Sequence, residues 1–129
     1  MSNPFSIPPE ARKIDPSRAR VLVMGFTFKE NCADTRNTRV GDIMAELAAF
    51  SVAADLHDPW VAPAEVLTEY GLQMVTTPEP GAYDAIIVAV AHSQFVEMGS
   101  AAIRDLGKPG AVLYDIKGIF GKSGSDLRL

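Results

Sequence analysis

The 129-residue sequence has a single cysteine, Cys32, and no long apolar or basic run. One cysteine excludes an internal disulfide and a multi-cysteine zinc site, and it fits a reducing cytoplasm. No membrane-spanning helix is expected, because such a helix needs about 18 or more consecutive apolar residues. The first residues also lack the basic and apolar regions of a signal peptide. The net charge of −4 argues against nucleic-acid binding, because phosphate neutralisation supplies most of that affinity.

The composition is otherwise that of an ordinary globular protein. Apolar residues make up 47% of the chain and charged residues 22%, which is close to the average for folded domains. The length predicts one domain. Residues 1–18 carry four of the nine prolines and no apolar periodicity, so we expect an extended leader or linker there. The folded domain is predicted to cover residues 19–129.

From Arg20 onward, short apolar runs alternate with amphipathic segments. Strands are predicted at 21–26, 52–58, 72–75, 84–91 and 111–115. Helices are predicted at 40–50, with Asn37 or Thr38 as N-cap, at 63–70, and at 96–106, where Gly99 interrupts the pattern. This alternation predicts the α/β class, as a three-layer Rossmann-like sheet of about five parallel strands that is doubly wound, in the order 3-2-1-4-5. Ligands of such sheets bind at the carboxyl ends of the strands.

Charged residues follow the first and last predicted strands at that edge. Lys29 comes directly after the first strand and is suited to meet a phosphate, while Asp34 and Arg36 are placed to pair and brace the loop. Lys117 follows the last strand, so the two lysines are placed to flank one anionic ligand. The alternative is a solvated charged loop, since surface ion pairs contribute only about 0–1 kcal/mol.

Other candidate groups point to no specific chemistry. His57 and His92 lie at strand ends. The alternatives for each are a ligand, an acid–base group or a hydrogen-bonded structural residue. Two histidines alone are too few for a metal site. Cys32 has no neighbouring base in the sequence to make it a nucleophile. Gly25 is not followed by the further glycines of a dinucleotide-binding turn. The Gly121-Lys122-Ser123 triplet is interpreted as a flexible loop rather than a phosphate loop.

Several motifs, in this order, resemble the C-terminal domain of the UDP-glucose/GDP-mannose dehydrogenase family. The resemblance is strongest to the branch that oxidises UDP-N-acetyl-hexosamines, and it covers residues 19–129. The motifs are Gly25-Phe26-Thr27-Phe28-Lys29-Glu30-Asn31, Asp34-Thr35-Arg36-Asn37-Thr38, Asp58-Pro59, Ala91-His92-Ser93-Gln94-Phe95, Tyr114-Asp115-Ile116-Lys117-Gly118 and Asp126-Leu127-Arg128-Leu129.

The resemblance implies a role in oxidising the C6 alcohol of a UDP-sugar to a uronic acid, for surface or capsular polysaccharide precursors. In that family an N-terminal domain binds NAD, a helical middle domain supplies the catalytic cysteine, and the C-terminal domain holds UDP. Phe28 and Lys29 match positions that contact the nucleotide, and Lys117 matches a basic position near the ribose and diphosphate. Asp34 and Arg36 match a pair expected to brace the loop or contact other domains. His92 lies in a loop on the same edge.

The departures from the family pattern define what is expected of this chain alone. It has neither the glycine fingerprint nor the cysteine motif, so it should contain no catalytic residue, bind no NAD or metal by itself and be inactive. The implied partners are a UDP-sugar and the missing NAD-binding and central domains or subunit, in a cytoplasmic homo-oligomer. The alternatives are a GDP-mannose dehydrogenase domain, or a free-standing flavodoxin-like interaction module.

Overall fold

A parallel sheet of five strands organises the protein. The structure is a computed structural model that describes residues 19–27, 29–35, 39–116 and 127–128. The predicted leader, residues 1–18, lies outside the described residues. In chain order the elements are β1 (Arg20–Met24), α1 (Val40–Ala49), β2 (Ala53–His57), α2 (Pro63–Tyr70), β3 (Tyr83–Val88), α3 (Ser93–Arg104), β4 (Gly107–Asp115) and β5 (Leu127–Arg128). No helix within these ranges is long and apolar enough to cross a membrane.

The side chains of β1 alternate between two hydrophobic clusters, as the two-residue period of a strand requires. Val21 and Val23 belong to one cluster, whereas Leu22 and Met24 belong to the other. The first cluster includes the buried faces of α1 and α2, and the second includes that of α3. The helices therefore cover both faces of the sheet, which confirms the predicted three-layer, doubly wound α/β architecture.

The strand order also follows the prediction, with two differences of detail. The sheet runs β2-β1-β3-β4-β5, and the predicted third strand over 72–75 is reduced to one parallel bridge between Met74 and Leu56. The bridge joins Met74 to the outer side of β2, so the segment predicted as the third strand does lie next to the second, as in the predicted order of 3-2-1-4-5. The apolar segment 72–75 is too short and too exposed at this edge of the sheet to form a longer run of strand hydrogen bonds. The sequence analysis missed β5, which pairs with the end of β4.

Helix boundaries show where local sequence signals were sufficient. Helix α2 spans the predicted residues, with Pro63 in its first turn and Gly71 in the left-handed conformation after its end. The N-cap of helix α1 is Arg39, without a side-chain cap bond. The predicted caps, Asn37 and Thr38, lie outside the described residues. Helix α3 begins three residues before the predicted start, at Ser93, and Gly99 breaks its helical geometry, as the sequence indicated.

The amino ends of the strands hold a cluster of charged groups. Asp84 accepts hydrogen bonds from the backbone N–H of Arg20 (2.8 Å) and from Lys108 Nζ (3.1 Å). The Tyr83 hydroxyl donates to Asp55 at 2.6 Å. Burial, together with this bond to a carboxylate, raises the pKa of Tyr83 to about 12. These groups therefore satisfy one another at the edge opposite to the predicted ligand site.

Gly25 directly follows β1 in a conformation that only glycine adopts without strain, and a methyl group there would overlap Val90, two residues after β3. Its φ is +101°, and an added Cβ would lie 2.6 Å from Val90 Cβ and 2.9 Å from Val90 N. We expect Gly25→Ala to lower the free energy of unfolding by about 2–4 kcal/mol, from overpacking and backbone strain together. Urea denaturation measures this loss.

Gly41→Ala is the matched control for that substitution. Gly41 lies in α1, and an added Cβ meets nothing within 4 Å. The same methyl group should stabilise the protein there, by up to about 1 kcal/mol, because alanine favours helix. Equal effects of the two substitutions would contradict a steric requirement at Gly25.

Candidate functional site

The segments that follow β1, β2, β3 and β4 come together at one edge of the sheet. Backbone hydrogen bonds hold them in register: Gly25 N to His57 O (2.8 Å), Ala89 N to Met24 O (2.9 Å) and Ile116 N to Val88 O (3.1 Å). This is the edge where parallel sheets bind ligands. The loop after β1, which carries Lys29, lies here together with Asp58 and His92.

Asp58, the first residue after β2, is the centre of the site. Its side chain is buried, and Oδ2 accepts hydrogen bonds from the backbone N–H groups of Phe26 (2.7 Å) and Thr27 (3.2 Å). Oδ1 accepts from the backbone N–H of Trp60 at 2.7 Å. Burial by itself would raise the pKa of Asp58, but the bonds from His92, Phe26 and Trp60 outweigh it and hold the pKa below its ordinary value of 3.8. The carboxylate is therefore an ionised acceptor that ties two loops together.

His92 is completely buried, and both of its ring nitrogens are used. The backbone N–H of Asn31 donates to Nδ1 at 2.9 Å, so Nδ1 carries no proton. The proton is then on Nε2, which lies 2.9 Å from Asp58 Oδ2 and 3.2 Å from Thr27 Oγ1. The Thr27 hydroxyl donates its own proton to Lys29 O at 2.9 Å, so its oxygen can only accept from Nε2. These bonds together assign the neutral Nε2–H tautomer.

The loop that carries Lys29 is held by hydrogen bonds at Asn31 and at Thr35. Asn31 adopts a left-handed φ of +55°, and its Oδ1 accepts a hydrogen bond from the backbone N–H of Ser93 at 2.8 Å. Further along, the Tyr70 hydroxyl donates to Thr35 O at 2.9 Å. The Lys29 side chain, in contrast, is exposed. A fixed backbone therefore presents an exposed cation at the ligand edge.

Aromatic side chains from α2 and from the segment after β2 form the rim of this edge. The Tyr70 ring meets the buried Phe26 ring edge to face, with 5.0 Å between centroids. Trp60 is 37% exposed, and its indole N–H donates to Gln94 Oε1 at 3.0 Å. These contacts place partly exposed aromatic surface beside the Lys29 loop.

The structure locates three of the six predicted site residues. Lys29 is exposed at the ligand edge, Asp34 is partly buried in the same loop, and His92 lies in the buried network. Phe28, Arg36 and Lys117 lie outside the described residues. The nucleotide contacts and the Asp34–Arg36 pair stay predictions.

Three residues of the network were missed by the sequence analysis. Asp58 was noted only as a strand end and as part of a motif, and Thr27 and Asn31 only as part of a motif. The available signal was the position of Asp58, since a carboxylate directly after a parallel strand faces this edge.

The remaining candidates from the sequence have other positions. His57 Nδ1 donates to Val75 O at 3.0 Å, so this histidine ties the segment after α2 to the end of β2. Cys32 is a free, half-buried cysteine. Within the described ranges, no group of three or more metal-ligating side chains is gathered.

Comparisons with known proteins agree on one family. The model of the UDP-glucose/GDP-mannose dehydrogenase family, UDP binding domain, matches residues 22–122. The chain is 54% identical over 118 residues to a UDP-N-acetyl-D-glucosamine 6-dehydrogenase of Pseudomonas aeruginosa, covering 92% of this chain and 28% of that protein. It is 52% identical over 109 residues to the enzyme of the same name in Salmonella typhi, covering 84% of this chain and 26% of that protein. The chain thus spans little more than a quarter of the length of these relatives.

A solved structure shows the same fold. The UDP-D-ManNAc dehydrogenase of Pyrococcus horikoshii superposes with a TM-score of 0.72 at 22% identity, over 92% of this chain and 27% of that one.

The Asp58 network makes a specific prediction about stability. Asp58→Asn places an amide where the carboxylate accepts several N–H donors, so at least one donor loses its acceptor. We expect the free energy of unfolding at pH 7 to fall by about 3 kcal/mol. Asp105→Asn, the same change at an exposed position after α3, should alter it by less than about 0.5 kcal/mol.

The pH dependence of stability gives a second measure of the same carboxylate. The folded-state pKa of Asp58 lies below its ordinary 3.8, so its contribution is present above about pH 4 and is lost as the pH falls through the lowered value. Urea denaturation from pH 7 down to pH 3 should show a steeper loss in the wild type than in Asp58→Asn. Parallel curves would contradict an ionised Asp58.

Proposed function

The chain belongs to the UDP-glucose/GDP-mannose dehydrogenase family, over the part that forms the family's UDP binding domain, and from this premise we propose that its carboxyl edge binds the UDP portion of a nucleotide sugar. The observation that carries the proposal is the exposed Lys29 on a backbone that Asp58 and His92 hold in place. A fixed cation at this edge suits a diphosphate, because charge-assisted hydrogen bonds to phosphate oxygens are among the stronger ones. Phe28 and Lys117 complete the proposed contacts.

Lys117 is included because of where the chain leads. Ile116, the residue before it, donates its backbone N–H to Val88 O at 3.1 Å at the end of β3. Ile116 therefore lies at the ligand edge, next to a strand that pairs with β1. A second cation from this side would meet the same diphosphate as Lys29.

For the whole protein we propose an NAD-dependent oxidation of the C6 alcohol of a UDP-sugar to a uronic acid. The two curated relatives reported above are named UDP-N-acetyl-D-glucosamine 6-dehydrogenases, which supports an N-acetylated hexosamine as the sugar. The role of this domain is to hold the UDP portion, since binding energy from a remote part of a substrate positions its reacting part. The oxidation itself belongs to the NAD-binding and central domains, in the same chain or in a partner subunit.

The residues of this domain do not fit NAD. A dinucleotide-binding turn offers free backbone N–H groups to a pyrophosphate at a helix N-terminus directly after the first strand. Here the N–H groups of Phe26 and Thr27 already donate to Asp58, the Phe26 ring is buried, and α1 begins only at Val40. NAD is therefore assigned to another domain of the full enzyme.

We infer that the full enzyme is a homo-oligomer and that it is cytoplasmic. A free cysteine at position 32 is compatible with a reducing compartment.

Titration with UDP, followed by NMR chemical shifts, tests the proposal. Shifts should concentrate in residues 25–31 and next to Lys117. Lys29→Ala should weaken UDP binding by about 1–3 kcal/mol, the range for a lost hydrogen bond to a charged group. A parallel titration with GDP tests the GDP-mannose alternative, which predicts tighter binding of GDP.

Lys108→Ala is the matched control. It removes the same charge from the start of β4, at the opposite edge of the sheet, and should leave the affinity for UDP unchanged. Absence of shifts at millimolar UDP would overturn the proposal. Equal losses in the two lysine variants would remove Lys29 from the site.

A further inference from the structure

The buried His92 joins the segments after three different strands. Its Nε2–H faces Asp58 after β2 and Thr27 after β1, and its Nδ1 accepts from Asn31 in the loop after β1. His92 itself follows β3 and directly precedes α3. A ring that is 0% exposed cannot touch a ligand, so any effect on the site passes through these neighbours.

The two nitrogens of the ring act on different parts of the structure. On the Nε2 side, Asp58 already receives backbone N–H groups from the end of β1, so this bond belongs to the buried framework of the domain. On the Nδ1 side, Asn31 lies two residues from Lys29, on the exposed part of the loop. The Nδ1 bond therefore acts directly on the loop, whereas the Nε2 side acts on the framework and reaches the loop only through Thr27, whose hydroxyl donates to Lys29 O.

The link to Asn31 is reciprocal. The Asn31 N–H donates to His92 Nδ1 (2.9 Å), and Asn31 Oδ1 accepts from the backbone N–H of Ser93 (2.8 Å), the first residue of α3. This pair of bonds fastens Asn31 in its left-handed conformation to the start of the helix. Thr27 adds a third attachment, because its hydroxyl donates to the carbonyl of Lys29 itself.

We propose that His92 is a positioning residue that sets the affinity of the anion site through the bond from Asn31 N–H to its Nδ1. Nδ1 must stay unprotonated for this bond, and the bond between Nε2–H and Asp58 keeps the single ring proton on the opposite nitrogen. The Nδ1 bond fixes the backbone on which Lys29 is presented. The statement about affinity rests on the proposed function, whereas the coupling between His92 and the loop does not.

Two conservative substitutions divide the ring into its halves. In His92→Gln the side-chain amide N–H can replace Nε2–H toward Asp58, but no acceptor remains at the position of Nδ1 for the Asn31 N–H. In His92→Asn the amide oxygen can replace Nδ1 toward Asn31, but the donor to Asp58 is lost. We expect His92→Gln to keep most of the stability and to bind UDP about 3- to 10-fold more weakly, the worth of one hydrogen bond. His92→Asn should be less stable, with the affinity of its folded form within about twofold of the wild type.

Amide hydrogen exchange gives a readout that needs no ligand. The Asn31 amide should exchange faster in His92→Gln than in the wild type. In His92→Asn it should exchange no faster than the lower free energy of unfolding of that variant accounts for. A long-range ¹H–¹⁵N correlation spectrum of the wild-type imidazole should show the Nε2–H tautomer. These measurements remain decisive for the coupling if the wild type proves not to bind UDP, an outcome that would overturn only the proposed function.

A double-mutant cycle with Asn31→Gly tests whether the effect passes through Asn31. Glycine tolerates the left-handed φ and retains the backbone N–H, but it removes the bond to Ser93. If both substitutions release the same loop, their combined loss of affinity should be smaller than the product of the single losses. Wild-type affinity and Asn31 exchange in His92→Gln, or strictly multiplicative losses in the cycle, would overturn the proposal.

Discussion

The ligand edge depends on one buried carboxylate, that of Asp58. The backbone turns away from β1 at Gly25, and the two N–H groups that follow donate to a side chain, that of Asp58. Unpaired buried N–H groups cost free energy, so a fold of this kind needs an acceptor at this point. Asp58 supplies it from the adjacent strand, at 2.7 and 3.2 Å. The path of the Lys29 loop follows from that choice of acceptor.

The same carboxylate explains why this edge differs from a dinucleotide site. Where such a site uses the N–H groups after the first strand to bind a pyrophosphate, here an internal anion occupies them. A substrate anion must then be met by exposed side chains further out, and Lys29 is exposed on that outer part of the loop. The negative charge of Asp58 is balanced locally by three backbone N–H groups and by His92. It therefore opposes an anion at the edge less than an unpaired carboxylate would.

The architecture could be predicted from the sequence because it rests on local periodicity. Apolar runs such as that of β1 are buried on both faces. Pro63 and Gly71 mark the two ends of α2, and both signals can be read from the local sequence. The network could not be predicted in the same way. Asp58 and His92 are 34 residues apart. Nothing in the local sequence shows that a carboxylate and an imidazole at two strand ends will form a hydrogen bond. The bridge at Met74 and the short β5 likewise depend on neighbours in the sheet rather than on their own sequence.

Under the proposed function, this domain holds part of a substrate and the reaction takes place in other domains, which affects what its titratable side chains have to do. A site that only holds part of a substrate needs no group whose protonation changes during the reaction. Its titratable side chains can therefore be buried and committed to fixed hydrogen bonds, as Asp58 and His92 are. Such fixed bonds also preorganise the loop, so less conformational freedom is lost when the loop meets its ligand. A buried, fully bonded histidine beside a binding loop is thus better understood as part of the scaffold that fixes the loop than as an acid or a base.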